Sequence, residues 1–266
     1  MRYVLLLMMI VGGAARAEAA LHTETVEYQH GDVVLEGYLA YDDAFTTKRP
    51  GVLVVHGWMG LGPYAKRRAD QLAQLGYVAF AADMYGKGVR AKDHAEAARL
   101  AGIYKGDRQL MRGRITAALD VLKQHERVDA TRIAAIGYCF GGTAVLELAR
   151  SGADIAGVVS VHGGLDTPHP EDAKQITTRI LVLHGAEDPF VTPEQVAAFE
   201  KEMTGAGVSY RLIKYPGVVH SFTVPEAGDD PSKGMAYNRE ADARSWQAMT
   251  EFLSEVLRLS ELSHIG

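Results

Sequence analysis

The chain is 266 residues long, 47% apolar and 23% charged, with a mean hydropathy of −0.06, which excludes a disordered chain and a polytopic membrane protein. Its formal charge of −5, with no local run of lysine and arginine, argues against nucleic-acid binding, which needs a cationic face to neutralise phosphates. One cysteine excludes an internal disulfide framework and any cysteine-cluster zinc or iron–sulfur site, so Cys139 has to be explained on its own.

Residues 1–19 have the layout of a signal peptide. Arg2 precedes an apolar run over residues 3–11, and small residues follow at Ala15-Arg16-Ala17 and Ala17-Glu18-Ala19. A membrane span needs about 20 apolar residues, so this run is too short to stay in a bilayer. Cleavage after Ala17 would remove Arg2 and Arg16 and take the net charge to −7. The expectation is an exported, periplasmic or secreted protein, off the membrane once cleaved, whose residues 20–266 form one domain.

Residues 26–30 and 33–41 alternate polar and apolar around His30-Gly31-Asp32, the pattern of a β-hairpin covering a sheet edge. Apolar runs without alternation recur at 52–56, 78–82, 133–138, 155–161, 180–184 and 210–215, which suits central parallel strands buried on both faces. Helical spacing occupies 64–75, 95–104, 108–122, 143–149, 193–203 and 240–257. Strand and helix alternate, so the fold class is α/β, a doubly wound, mostly parallel sheet. Residues 225–234, rich in Gly, Pro and Asp, form a surface loop placed to act as a lid over the site of His220.

The strand ending at Gly137 runs into Gly137-Tyr138-Cys139-Phe140-Gly141-Gly142 and then a helix, a nucleophile turn with sulfur in place of oxygen. Side chains two residues either side of the nucleophile would collide with strand and helix, and Gly137 and Gly141 meet that need. The turn leaves Cys139 at a helix N-terminus near Gly142, where free N–H groups favour a thiolate. A base and an orienting acid should follow in the order acid, then histidine. Asp188 stands after the strand at 180–184 and His220 after the strand at 210–215, in that order, although Asp188 alone could be a turn residue before Pro189. His22, His30, His125 and His264 are expected in solvent, and His162 and His184 end strands as structural or rim residues. No histidines pair in a metal spacing such as H-E-x-x-H. Oxyanion donors are expected from the Phe140 amide and from the loop His56-Gly57-Trp58-Met59-Gly60, where Trp58 is the donor. The Trp58 indole serves equally well as ordinary packing or as an acyl-pocket wall.

With these residues the chain resembles the dienelactone hydrolase family of the α/β-hydrolase superfamily. The likeness rests on G-Y-C-F-G-G around Cys139, H-G-A-E-D-P around Asp188, V-V-H-S-F around His220 and A-A-D-M-Y-G-K-G from Ala81. It implies a Cys139–His220–Asp188 triad that opens enol-lactones or cleaves esters with no metal or organic cofactor, the partner being a small-molecule ester or lactone. Tyr85, Lys87, Arg90 and Ser221 are the expected substrate-binding residues. Two departures matter. Family members carry a glutamate after the first central strand that helps form the thiolate, and this chain has Gly57. They hold a substrate carboxylate with two arginines, near which this chain has Lys87, a point charge, and Val224, no charge, so uncharged substrates should be preferred. Two other readings remain at this stage: a catalytically silent hydrolase fold that binds a small ligand, and an acyltransferase.

Overall fold

A computed structural model describes residues 20–258, and the expected leader at 1–19 lies outside them, as does His264. Strand β1 (Leu21–His30) and strand β2 (Val33–Asp42) form the expected hairpin, longer at its start than the alternation indicated. There follow β3 (Arg49–Val55), α1 (Pro63–Gln74), β4 (Val78–Ala82), α2 (His94–Gly106), α3 (Arg108–Gln124), β5 (Val128–Tyr138) and α4 (Phe140–Arg150). The chain continues through β6 (Gly157–Val161), β7 (Arg179–Gly185), α5 (Pro193–Ala206), β8 (Tyr210–Tyr215) and α6 (Arg239–Leu257).

One eight-stranded sheet has the order β1-β2-β4-β3-β5-β6-β7-β8. β1 pairs antiparallel with β2 and β2 with β4, and every pairing from β4 through β3 to β8 is parallel. This is the α/β-hydrolase arrangement. The period-two geometry of strands sends Leu53 and Val55 of β3 to one face and Val52 and Val54 to the other. On the first face they meet Leu100, Met111, Ile115 and Val145 from α2, α3 and α4; on the second, Leu72 of α1 and Ile136 of β5. Burial on both faces is why the central strands carry continuous apolar runs. Where the order reverses, between β3 and β5, the strand ends open a crevice, and the candidate site occupies it.

Among the described residues, no helix is long and apolar enough to cross a membrane, and no group of three potential ligands could hold a metal ion.

Candidate active site

Cys139 joins β5 to α4 with φ 54° and ψ −115°. The helix starts at Phe140, earlier than the apolar pattern indicated, because the turn closes directly after Cys139, whose carbonyl accepts from Gly142 N–H at 2.9 Å. A Cβ on Gly137 would strike the Gly141 carbonyl, and one on Gly141 would strike the Val55 carbonyl. Neither position tolerates a side chain, so strand and helix approach closely enough to raise Cys139 to the apex, half-buried.

The turn after β7 is set by Ala186 N–H donating to the Tyr215 carbonyl at 2.9 Å and Asp188 N–H to the Gly185 carbonyl at 3.1 Å. Asp188 Oδ1 then accepts from Phe190 N–H at 2.9 Å, which leaves Oδ2 for His220 Nδ1 at 2.7 Å. His220 follows β8 and is pinned through its own N–H to the Gly234 carbonyl at 3.1 Å. Its Nε2 lies 3.2 Å from Cys139 Sγ, so the three side chains form one chain of contacts.

Burial pushes the Cys139 thiol up, but the His220 charge, its hydrogen bond and the backbone N–H groups of Trp58 and Phe140 outweigh that and hold it below the ordinary thiol value. For His220, burial disfavours the cation, yet the Cys139 charge and the Asp188 hydrogen bond prevail and raise it to about 10. Both shifts favour the thiolate–imidazolium form of the pair. At Gly57, a Cβ would sit 3.8 Å from that of Cys139, so a side chain there would lie beside the sulfur. With glycine in place, His220 and the two amides are what favour the thiolate.

The Trp58 loop is held from beneath. Met84 N–H donates to His56 Nε2 at 3.2 Å, which puts the ring proton on Nδ1, and Nδ1 donates to the Gly57 carbonyl at 2.6 Å. Tyr85 O–H donates to the Trp58 carbonyl at 2.9 Å. Tyr85 is thus buried support for the loop and not a lining residue, which corrects its expected role: the Asp83 carboxylate accepts its backbone N–H at 2.9 Å and that of Gly86 at 3.1 Å, turning the chain under the loop.

Cys139 and Trp58 separate two lobes of the cleft, of about 310 and 180 Å3. Arg90, Ser221 and Val224 line the larger. Lys87 lines neither. Its backbone N–H donates to the Val34 carbonyl at 2.9 Å, which turns the side chain onto the hairpin, where it pairs with Glu27 and lies 3.7 Å from Glu36. The loop at 225–234 consists of two 3-10 turns and is tied to α1 by Arg67–Glu226 at 2.6 Å; Glu226 is its contribution to the larger lobe.

Two further residues line the cleft. His162, at the end of β6, is buried with φ 40° and lines the larger lobe. Lys105, in the last turn of α2, lines the smaller one. A strand-end position marks His162 in the sequence as a structural or rim residue, whereas Lys105 carries no signal, because a lysine closing a helix is ordinary. His125 is not solvated as expected: it packs against Tyr41, with ring centroids 5.7 Å apart, and burial lowers its basicity.

The family model described as "Dienelactone hydrolase family" matches residues 35–257. A solved structure titled "m3DLH" is 42% identical with a TM-score of 0.86, over 90% of this chain and 99% of that one. A dienelactone hydrolase-like promiscuous phosphotriesterase from metagenomic libraries is 40% identical with a TM-score of 0.84, over 89% and 99%. In sequence, the chain is 32% identical to a Bradyrhizobium sp protein named "Probable 2-oxo-3-(5-oxofuran-2-ylidene)propanoate lactonase", over 75% of this chain and 86% of that protein.

Proposed function

The chain belongs to the dienelactone hydrolase family, and from that premise we propose that it hydrolyses a small ester or lactone through Cys139, His220 and Asp188, with a thioester on Cys139 as intermediate. The observation that carries this reading is the 3.2 Å contact between His220 Nε2 and Cys139 Sγ, with Asp188 Oδ2 2.7 Å from Nδ1 of the same ring.

Cys139 thiolate attacks the carbonyl carbon and forms the C–S bond, while the carbonyl oxygen takes the Trp58 and Phe140 N–H groups. As the C–O bond breaks, the Nε2 proton passes to the leaving alkoxide. Water then gives a proton to Nε2 and attacks the thioester; the C–S bond breaks and the thiolate–imidazolium pair returns. Asp188 accepts the Nδ1 proton throughout and holds the tautomer.

The test is mass spectrometry of the protein quenched during turnover of a short aryl ester. An acyl adduct on Cys139, absent in Cys139→Ala together with the activity, is the expected result. Full hydrolysis by Cys139→Ala would overturn the assignment, binding without any adduct would favour the silent fold, and an ester product with added alcohol would favour acyl transfer. A second reading, hydrolysis of phosphotriesters at the same thiol, is favoured by the 40% identity to a promiscuous phosphotriesterase.

A further inference from the structure

The two lobes beside Cys139 differ in the groups that reach them. The larger includes Tyr64, Tyr138, His162 and Ser221, with Arg90 and Glu226 of opposite charge. The smaller is walled by Ala101, Phe140, Phe190, Val191 and Met235 and includes His220 and Lys105. The His220 ring lines the smaller lobe and not the larger.

That asymmetry bears on the direction in which a substrate lies, and the argument rests on the reading of Cys139 as nucleophile. When the tetrahedral intermediate collapses, the departing oxygen must stand within reach of Nε2, because the proton it takes is the one held there. The same place later receives the hydrolytic water. The group attached through that oxygen therefore extends into the lobe that His220 lines, and the substituent on the acyl carbon extends into the other.

Each lobe also carries a cation. In the larger lobe Glu226 is held by Arg67 at 2.6 Å, and Arg90 has no carboxylate within ion-pair distance among the described residues. In the smaller lobe, Lys105 has no carboxylate within ion-pair distance among the described residues. Asp166, which reaches Gly164 as Lys105 does, is held by Arg108 at 3.0 Å. An apolar wall ending in one lysine fits an apolar alcohol with an anionic end. A small lactone joins its acyl carbon and alkoxy oxygen in one ring and cannot extend into both lobes, whereas an open-chain ester can.

We propose that the preferred substrate is an open-chain ester whose acyl group fills the larger lobe and whose alcohol, bearing an anionic terminus, fills the smaller lobe towards Lys105. Atoms balance as for simple hydrolysis: ester and water yield a carboxylic acid and the anionic alcohol.

Two benzoyl esters test this, one of 1-butanol and one of 3-hydroxypropane-1-sulfonate. Lys105 is solvent-facing, so the wild-type preference in kcat/KM for the sulfonate ester should be up to about fivefold and should shrink with added salt. Lys105→Met should bring the ratio to one and Lys105→Glu should invert it, while breakdown of the common benzoyl-enzyme, followed in single turnover, keeps one rate for both esters. Lys105→Met acting instead on esters with an anionic acyl group, or on benzoyl-enzyme breakdown, would show that the lobes are assigned the wrong way round. No wild-type preference at any salt would overturn the role of Lys105. Failure to trap benzoyl on Cys139 from either ester is a different outcome, because it removes the nucleophile reading and this inference with it.

Discussion

His162 Nε2 lies 2.9 Å from Thr223 Oγ1, the last link of a buried polar chain that begins at an ion pair behind the site. Asp242 holds Arg68, whose Nε donates to Tyr64 Oη at 3.1 Å; Tyr64 O–H is 2.6 Å from Thr223 Oγ1. Arg68 can only donate, so Tyr64 Oη accepts from it, and Thr223 Oγ1 joins the tyrosine to the His162 ring. Burial, with the His220 charge nearby, keeps His162 neutral well below the ordinary histidine range, and its ring meets His220 edge-on at 5.2 Å between centroids. Thr223→Val strands Tyr64 O–H and His162 Nε2 in the interior. A loss of about 1–3 kcal/mol is expected in urea unfolding, with a smaller loss for Thr223→Ser.

The coupled pair sets the pH response. The Cys139 thiolate forms below the ordinary thiol value of 9.0, so iodoacetamide should label it faster than free cysteine at pH 7. At high pH the imidazolium is lost near 10, and with it the proton for the leaving group. Ester kcat/KM should rise through the lower transition, hold a plateau and fall towards pH 10, the two values belonging to the pair and not to one residue. Asp188→Asn removes the charge that supports the imidazolium, so the alkaline fall should move to lower pH.

Lys87 is committed to Glu27 and Glu36 on the hairpin. Steady-state kinetics should therefore give a KM for carboxylate-bearing esters within about twofold of wild type in Lys87→Met, the size of change expected when only an exposed pair is lost. A rise of tenfold or more would return Lys87 to the substrate.

Away from the chemistry, Glu147 on α4 is fully buried between Arg112 at 2.8 Å and Arg150 at 3.1 Å, and Arg150 reaches Glu202 on α5 at 2.8 Å. Glu147→Ala leaves a buried guanidinium short of one partner. The expected cost is about 3–5 kcal/mol in denaturant unfolding, and Glu147→Gln should recover part of it through hydrogen bonding.

The leader expectation concerns residues outside those described and is tested directly. N-terminal sequencing of protein recovered from its native compartment should begin after Ala17 or Ala19. An intact cytosolic chain starting at Met1 would set export aside and leave the site untouched.

Much of this protein is determined locally. A continuous apolar run such as Val52–Val55 fits a strand covered on both faces, and glycines on either side of Cys139 fit a turn where a Cβ has no room, so the parallel sheet and the nucleophile turn are legible from neighbouring residues. The order of Cys139, Asp188 and His220 is legible for the same reason, each following its own strand. Their meeting at 2.7 and 3.2 Å depends on β5, β7 and β8 ending at one edge of the sheet. Only the tertiary structure decided that Lys87 turns to the hairpin, that Tyr85 lies under the Trp58 loop, and that Lys105 reaches the cleft. Those outcomes depend on contacts between segments far apart in the chain, such as Lys87 with Val34 or Thr223 with Tyr64, and a side chain's direction is fixed by the surface it lands on, which its sequence neighbours do not encode.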